Sequence, residues 1–460
     1  MIVDRTVETA AWDLQREQDD AIYRRQIAYL FEGSGFYREK LTQAGIASPG
    51  AVGGIADIAN LPFTTKDEIR QSCSTSNPIG THLVAPEHDL VRIYSTSGTT
   101  GAPSYIPLTR QDLQNWITIS SRSYGAAGVS AGNRIVSSYN AGPFVAGAAL
   151  GAFEALGLCH IPVGTGNSER LLAAVQLLRP EILACTPSYA LYLEELAQAR
   201  GIDLRASSVT HILVAGEPGG GEPAIRARIE QGWGALVTEA MGIGDVSVSL
   251  WGECEARAGM HFSGRGLVHF ELIDPDSGSA LPLENGARGE LVYTHLAHRA
   301  APVLRFRSRD HVVVSTGQCS CGRTAPRVRC IGRTDDMLIV RGVNVFPSAV
   351  REVVNEFMPA VTGMMSIRPA AKGVRQDPPL PIIVELAAGA PDTTGLAERI
   401  RQRLREKLVF TAAVELVAAG SLPRADYKSK LIDWKAVAPD GALAHADSRI
   451  GEVSPGGTVA

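Results

Sequence analysis

YSTSGTTGAPSYIPLT, Tyr94 to Thr109, is the stretch on which the reading of this chain turns. Gly98 and Gly101 let the backbone turn sharply and approach a ligand closely. Ser95, Thr96, Ser97, Thr99 and Thr100 add neutral hydroxyl donors suited to phosphate oxygens. Successive backbone N–H groups in such a turn form an anion-binding concavity. No Gly-Lys-Ser/Thr follows at the spacing of a Walker A loop, so the segment is of another kind. Taken alone it also reads as a solvated Ser/Thr/Gly turn.

Outward from this loop, the chain bounds its own class. At 460 residues it is too long for one compact core and should divide into at least two domains. Its 45% hydrophobic and 20% charged residues are ordinary for a soluble globular protein. The formal net charge is −4, with no basic or acidic block, which argues against nucleic acid or an anionic membrane as the main partner. The opening MIVDRTVETAAWDLQREQDD is charged throughout and lacks the apolar core of a signal peptide. A reducing cytoplasm is the expected setting, where cysteines are more often metal ligands or core residues than disulfides. Ala141–Gly164 is superficially membrane-like, but Pro143, Glu154 and many small residues make it buried core segments, not a span.

Short β-rich runs alternate with amphipathic helical stretches, which predicts an α/β protein with substantial sheet. Residues 11–32 read as a helix with Ile22, Ile27, Leu30 and Phe31 on one side. Ser168–Leu178 reads as a helix capped by Ser168, with Leu171, Leu172, Val175 and Leu178 on its apolar face. Ile212–Ala215, Glu290–Thr294 and Met337–Val340 read as strands. Beyond residue 340 a helix (Pro347–Phe357), a strand (Pro381–Leu386) and a second helix (Thr394–Leu408) predict a small α+β unit. About 100 residues is a normal size for a separate domain. The expected division is 1–334, a large multi-subdomain N-terminal unit; 335–435, a small mobile C-terminal unit; and 436–460, a loose Ala/Gly/Pro/Ser-rich tail.

The loop does not stand alone: SGFYREKLTQAGI (Ser34–Ile46) and LPFTTKDEIR (Leu61–Arg70) precede it, and CTPSYALYL (Cys185–Leu193), AGEPGG (Ala215–Gly220), RFRSRD (Arg305–Asp310) and GRTDDMLIVRGVNVFPSAVREV (Gly332–Val353) follow in order. Over nearly its whole length the chain resembles the acyl-adenylate-forming superfamily, specifically the phenylacetate–CoA ligase-like branch. The resemblance implies a nucleotide site made of Ser95–Thr100, Gly216, Glu217, Pro218, Met241, Gly242, Arg307 and Asp310. Asp310 would accept from both ribose hydroxyls, since a carboxylate offers two oxygens to a vicinal diol. Glu217 and Pro218 would run along the adenine, and a solvated turn is the alternative there. MGIGDVS (Met241–Ser247) stands where the family has Tyr-Gly-x-Ser/Thr-Glu. Asp245 keeps the oxygen ligand a hard Mg²⁺ ion requires, Met241 replaces the stacking aromatic, and Gly244 replaces the hydroxyl residue. Family members usually carry Lys where this chain has Ala102.

The same resemblance places a catalytic lysine in SLPRADYKSKL (Ser421–Leu431) at Lys428, stabilising charge on the α-phosphate as the adenylate forms, with Lys430 as the fallback. Asp335 and Asp336 fall at the implied hinge between the two domains. Cys254 with His261, and Cys319 with Cys321, form a Cys₃His set suited to structural zinc, though C-x₆-H and C-x-C are not a standard finger spacing. Several members of the branch carry a matching set. Ser137–Gly157 matches the branch's acid pocket, where Tyr139 and Phe144 would wall a flat ring, with Gly242 beside it. Core packing explains the neighbouring small residues equally well. The expected partners are ATP, Mg²⁺, an aromatic acid and CoA, with no nucleic acid and no membrane, and a homodimer is compatible with the chain. The expected reaction is adenylation of an aromatic acid and transfer to CoA. The alternatives are an amine, hydroxyl or carrier-protein thiol as acceptor, or a homologue that binds without catalysis.

Overall fold

The computed structural model describes residues 1–95, 104–139, 145–390, 393–424 and 430–434. The predicted tail at 436–460 therefore lies outside the described residues. The chain divides into two compact units with a boundary between Met337 and Leu338.

The first unit opens with α1 (Arg5–Glu8), α2 (Trp12–Gly33), α3 (Gly35–Gln43) and α4 (Lys66–Gln71). The antiparallel hairpin β1 (Leu90–Ser95) and β2 (Tyr105–Thr109) flanks the phosphate-loop sequence and runs into α5 (Arg110–Ala126). Thr109 caps α5 through the amide of Asp112, and Asp112 bonds back to the Thr109 amide, so hairpin and helix join at a fixed angle. Next come β3 (Arg134–Ser137), α6 (Ala149–Ala155), β4 (Cys159–Pro162), α7 (Ser168–Leu178), β5 (Ile182–Cys185), α8 (Pro187–Ala199), β6 (His211–Ala215), α9 (Pro223–Trp233) and β7 (Leu236–Ile243). β8 (Ser247–Glu253), β9 (Met260–Phe262), β10 (Val268–Ile273), β11 (Ala280–Leu281), β12 (Arg288–His295), β13 (Phe306–Ser315) and β14 (Arg327–Arg333) complete it without intervening helices.

These strands form one 12-stranded sheet in the order β11-β10-β12-β13-β14-β9-β8-β7-β6-β5-β3-β4. β3 to β7 are parallel, as strand–helix–strand connections require. Leu171, Leu172, Tyr189, Leu193, Ile229 and Trp233 from α7, α8 and α9 bury against β5, β6 and β7. From β7 onward the strands are antiparallel, and β13 alternates buried and half-buried residues along its length. The α/β expectation is met, and Ala141–Gly164 contains a short helix and strand where it is described. No helix of the described residues is long and apolar enough to cross a membrane. One local reading is corrected. Asn167, not Ser168, precedes α7 as its cap residue without a side-chain bond, because the Ser168 hydroxyl bonds the Tyr189 hydroxyl at 2.9 Å.

The second unit holds β15 (Leu338–Val340), β16 (Val343–Val345), α10 (Pro347–Asn355), β17 (Val361–Ile367), β18 (Arg375–Gln376), β19 (Leu380–Leu386), α11 (Leu396–Leu408) and β20 (Ala412–Val417). β17, β19 and β20 make a sheet whose core receives Val350, Val354, Ile400 and Leu404 from the two helices.

Candidate active site

The parallel strands β3, β5, β6 and β7 end along one edge of the sheet. β4 lies outside β3 while β5 lies on its other side, so the connections diverge there, at the point where open α/β sheets usually take their ligands. Tyr139, just beyond β3, is 5% exposed and spans this point, its hydroxyl donating to the Cys185 carbonyl at the end of β5 at 3.3 Å. Gly216 follows β6 with φ of 97°, a conformation that favours glycine. The next residue, Glu217, accepts a bond from the Ser188 amide at 2.8 Å, fastening the turn after β6 to the start of α8. Met241 and Gly242 lie at the end of β7. A Cβ on Gly242 would sit 2.1 Å from the Val248 carbonyl oxygen, so only glycine lets β7 and β8 approach there. Two residues before Met241, Glu239 is buried on the same face of β7, its carboxyl pushed up to about 7 by burial and the nearby Glu253. Sequence reasoning passed over it; period-2 spacing from Met241 was the available signal.

Asp245 occupies the turn between β7 and β8, 9% exposed, and its Oδ2 lies 2.8 Å from Lys66 Nζ. Lys66 opens α4, whose start is fixed by reciprocal bonds between Thr65 and Glu68. The preceding Thr64 is pinned to β13, its amide donating to Arg305 and its carbonyl accepting from Arg307, both at 2.9 Å. The motif LPFTTKDEIR does not by itself mark Lys66 for a role; its meeting with Asp245 is non-local. A buried carboxylate suits Mg²⁺, which takes one or two carboxylates and fills its remaining positions with phosphate oxygens and water.

Asp310 lies on β13, 6% exposed, with Arg333 of β14 directly across the strand pair and its guanidinium 3.0 Å away. Burial raises the carboxyl to about 6, with Arg333 opposing the shift. Arg333 also bonds Asp335 at 3.0 and 2.9 Å, joining the predicted ribose carboxylate to the predicted hinge pair. Asp336 completes that turn, its amide donating to the Arg333 carbonyl at 3.2 Å. Arg307, three residues before Asp310 on β13, is held on buried Glu290 through bonds of 3.0 and 2.7 Å. Arg333 is the cation at Asp310. Ser95 closes β1, whereas Thr96–Thr100, Phe144 and Lys428 lie outside the described residues.

The structure brings together the four expected metal ligands. Cys254 follows β8, His261 lies on β9, and Cys319 and Cys321 form the turn between β13 and β14. β9 pairs with both β8 and β14, which carries the two halves to one place. Their ligand atoms all lie within 4.8 Å of one another, with Cys254 Sγ 3.6 Å from Cys319 Sγ and Cys321 Sγ 3.3 Å from His261 Nε2. Two thiolates about 2.3 Å from one tetrahedral centre stand roughly 3.8 Å apart, so the donor set and spacing fit zinc. The hydrogen bond from Cys254 holds the Cys321 thiol well below its usual range and pushes the Cys254 thiol up.

Similarity to known proteins gives the family. The AMP-binding enzyme family matches residues 39–296, and the AMP-binding enzyme C-terminal domain matches residues 342–434. The phenylacetate-coenzyme A ligase of Thermus thermophilus is 33% identical over 447 residues, 93% of this chain and 97% of that protein. That of Escherichia coli is 31% identical, covering 92% and 95%. A crystal structure of 2-hydroxyisobutyryl-CoA ligase in its postadenylation state superposes with a TM-score of 0.84 at 25% identity, over 93% of this chain and 90% of that one. The chain thus belongs to the acyl-adenylate-forming AMP-binding enzymes, in their phenylacetate–CoA ligase-like branch.

Proposed function

We propose that the chain is an acid–thiol ligase that activates an aromatic carboxylic acid with ATP as its acyl-adenylate, releasing pyrophosphate, and passes the acyl group to the CoA thiol, releasing AMP. The observation that carries this reading is the pair of buried carboxylates, Asp245 beyond β7 and Asp310 on β13, in a chain 33% identical to a phenylacetate–CoA ligase over 93% of its length. Asp310 accepts the ribose diol, with Arg333 orienting its carboxylate. The turn Gly216–Pro218 and Met241–Gly242 bound the adenine, and Tyr139 with Phe144 walls the acid's ring. Asp245 would hold a magnesium ion, whose charge would offset that of the phosphates. Lys428 stabilises the α-phosphate during attack by the acid's oxygen. Cys254, His261, Cys319 and Cys321 would hold a zinc ion, which would be structural because the protein supplies all four ligands.

Acid-dependent exchange of labelled pyrophosphate into ATP, run across a panel of aromatic acids, tests the first half-reaction. Lys428→Ala is expected to abolish exchange while leaving the unfolding transition in place. Absence of exchange with every acid in the panel would refute adenylation. Thioester formation on adding CoA tests the second half; exchange without thioester would assign the acyl group to an amine, hydroxyl or carrier-protein acceptor.

A further inference from the structure

We propose that Lys66 is the cation that binds the β- and γ-phosphates of ATP, supplying the charge that the phosphate loop lacks. The proposal rests on the nucleotide reading of Asp245 given above. The loop segment Tyr94–Thr109 contains no Lys or Arg, and Ala102 stands where the resemblance implies a lysine. A triphosphate carries roughly four negative charges at neutral pH, and neutral hydroxyls and amides do not balance them. The Lys66 ammonium lies 2.8 Å from Asp245 Oδ2. Oxygens on adjacent positions of a Mg²⁺ shell, each about 2.1 Å from the ion, lie roughly 3 Å apart. A phosphate oxygen sharing the ion with Asp245 therefore stands within about 6 Å of Nζ before Lys66 moves at all.

The pair is built to let go. Asp245 is buried, but the Lys66 side chain is 30% exposed, so its ammonium can turn to another anion when a metal ion takes its place on the buried carboxylate. The helix start beneath Lys66 is fixed by the Thr65–Glu68 capping bonds and by Thr64 on β13. Only the flexible side chain has to swing. Asp245 then takes the metal, and the released ammonium takes a phosphate oxygen.

Titration calorimetry of ATP, with Mg²⁺ and with EDTA, tests this on Lys66→Ala, Ala102→Lys and the double variant, alongside thermal unfolding and pyrophosphate exchange. Lys66→Ala is expected to weaken Mg·ATP binding and raise the pyrophosphate KM about tenfold, with Ala102→Lys restoring most of both in the double variant. Wild-type affinity in Lys66→Ala would overturn the inference, as would tighter binding, which would make Lys66 a competitor of the metal. So would a loss that follows thermal stability and is not rescued at position 102. A wild-type chain that binds no Mg·ATP would overturn the nucleotide reading and this inference together; a wild type that binds it, beside an equal Lys66→Ala, overturns the inference alone.

Discussion

Burial raises the Asp310 carboxyl to about 6 even with Arg333 only 3.0 Å away. The folded chain therefore holds a proton there, between about pH 4 and 6, that the unfolded chain has released. This one group favours the folded state at the acid end of that window, and its contribution is lost as pH rises through 6. Binding has the opposite sign, because protonation converts an acceptor oxygen into a donor and spoils the match to two ribose hydroxyls. The KM for ATP is expected to rise as pH falls through about 6, and Asp310→Asn should show a high KM without that step. A flat wild-type profile between pH 5 and 8 would refute the assignment. Asp310 was legible from its motif, but Arg333 was not. Their meeting depends on the register Asp310↔Arg333 between β13 and β14, which a linear sequence does not specify.

At the scale of elements, the cysteine–histidine knuckle shows how a weak spacing becomes a built site. Residue type suggested zinc, while C-x₆-H and C-x-C alone did not. The deciding fact is non-local: short β9 lies between β8 and β14 and so draws Cys254 toward the Cys319–Cys321 turn. Elemental analysis of the purified chain is expected to find about one zinc per molecule. Cys319→Ser should lower that content and the melting temperature together, with prolonged chelation reproducing both. A metal-free chain that melts like the untreated one would refute a structural ion. The same knuckle ties the end of β8, the strand that follows Asp245, to the turn after β13, the strand that carries Asp310, so loss of metal should also weaken ATP binding.

For the whole molecule, strand–helix alternation was readable because each parallel strand must be followed by a crossover, whereas the antiparallel half gave few patterned segments. The order that makes the connections diverge beside β3 was invisible, since strand adjacency is set by tertiary packing. If Asp335 and Asp336 form the hinge, Asp336→Pro should separate the two half-reactions. Proline removes the amide that donates to Arg333 and fixes φ, so thioester formation is expected to fall more than tenfold while exchange stays within a few-fold. Equal losses in both would refute the hinge. The sheet's two outer strands carry a further consequence. β4 has four residues and ends in Pro162, and β11 has two, so this wide sheet presents almost no free backbone row on which another chain could polymerise. Destabilised variants should therefore precipitate through apolar surface released by unfolding, and stay dispersed as long as the native sheet is intact.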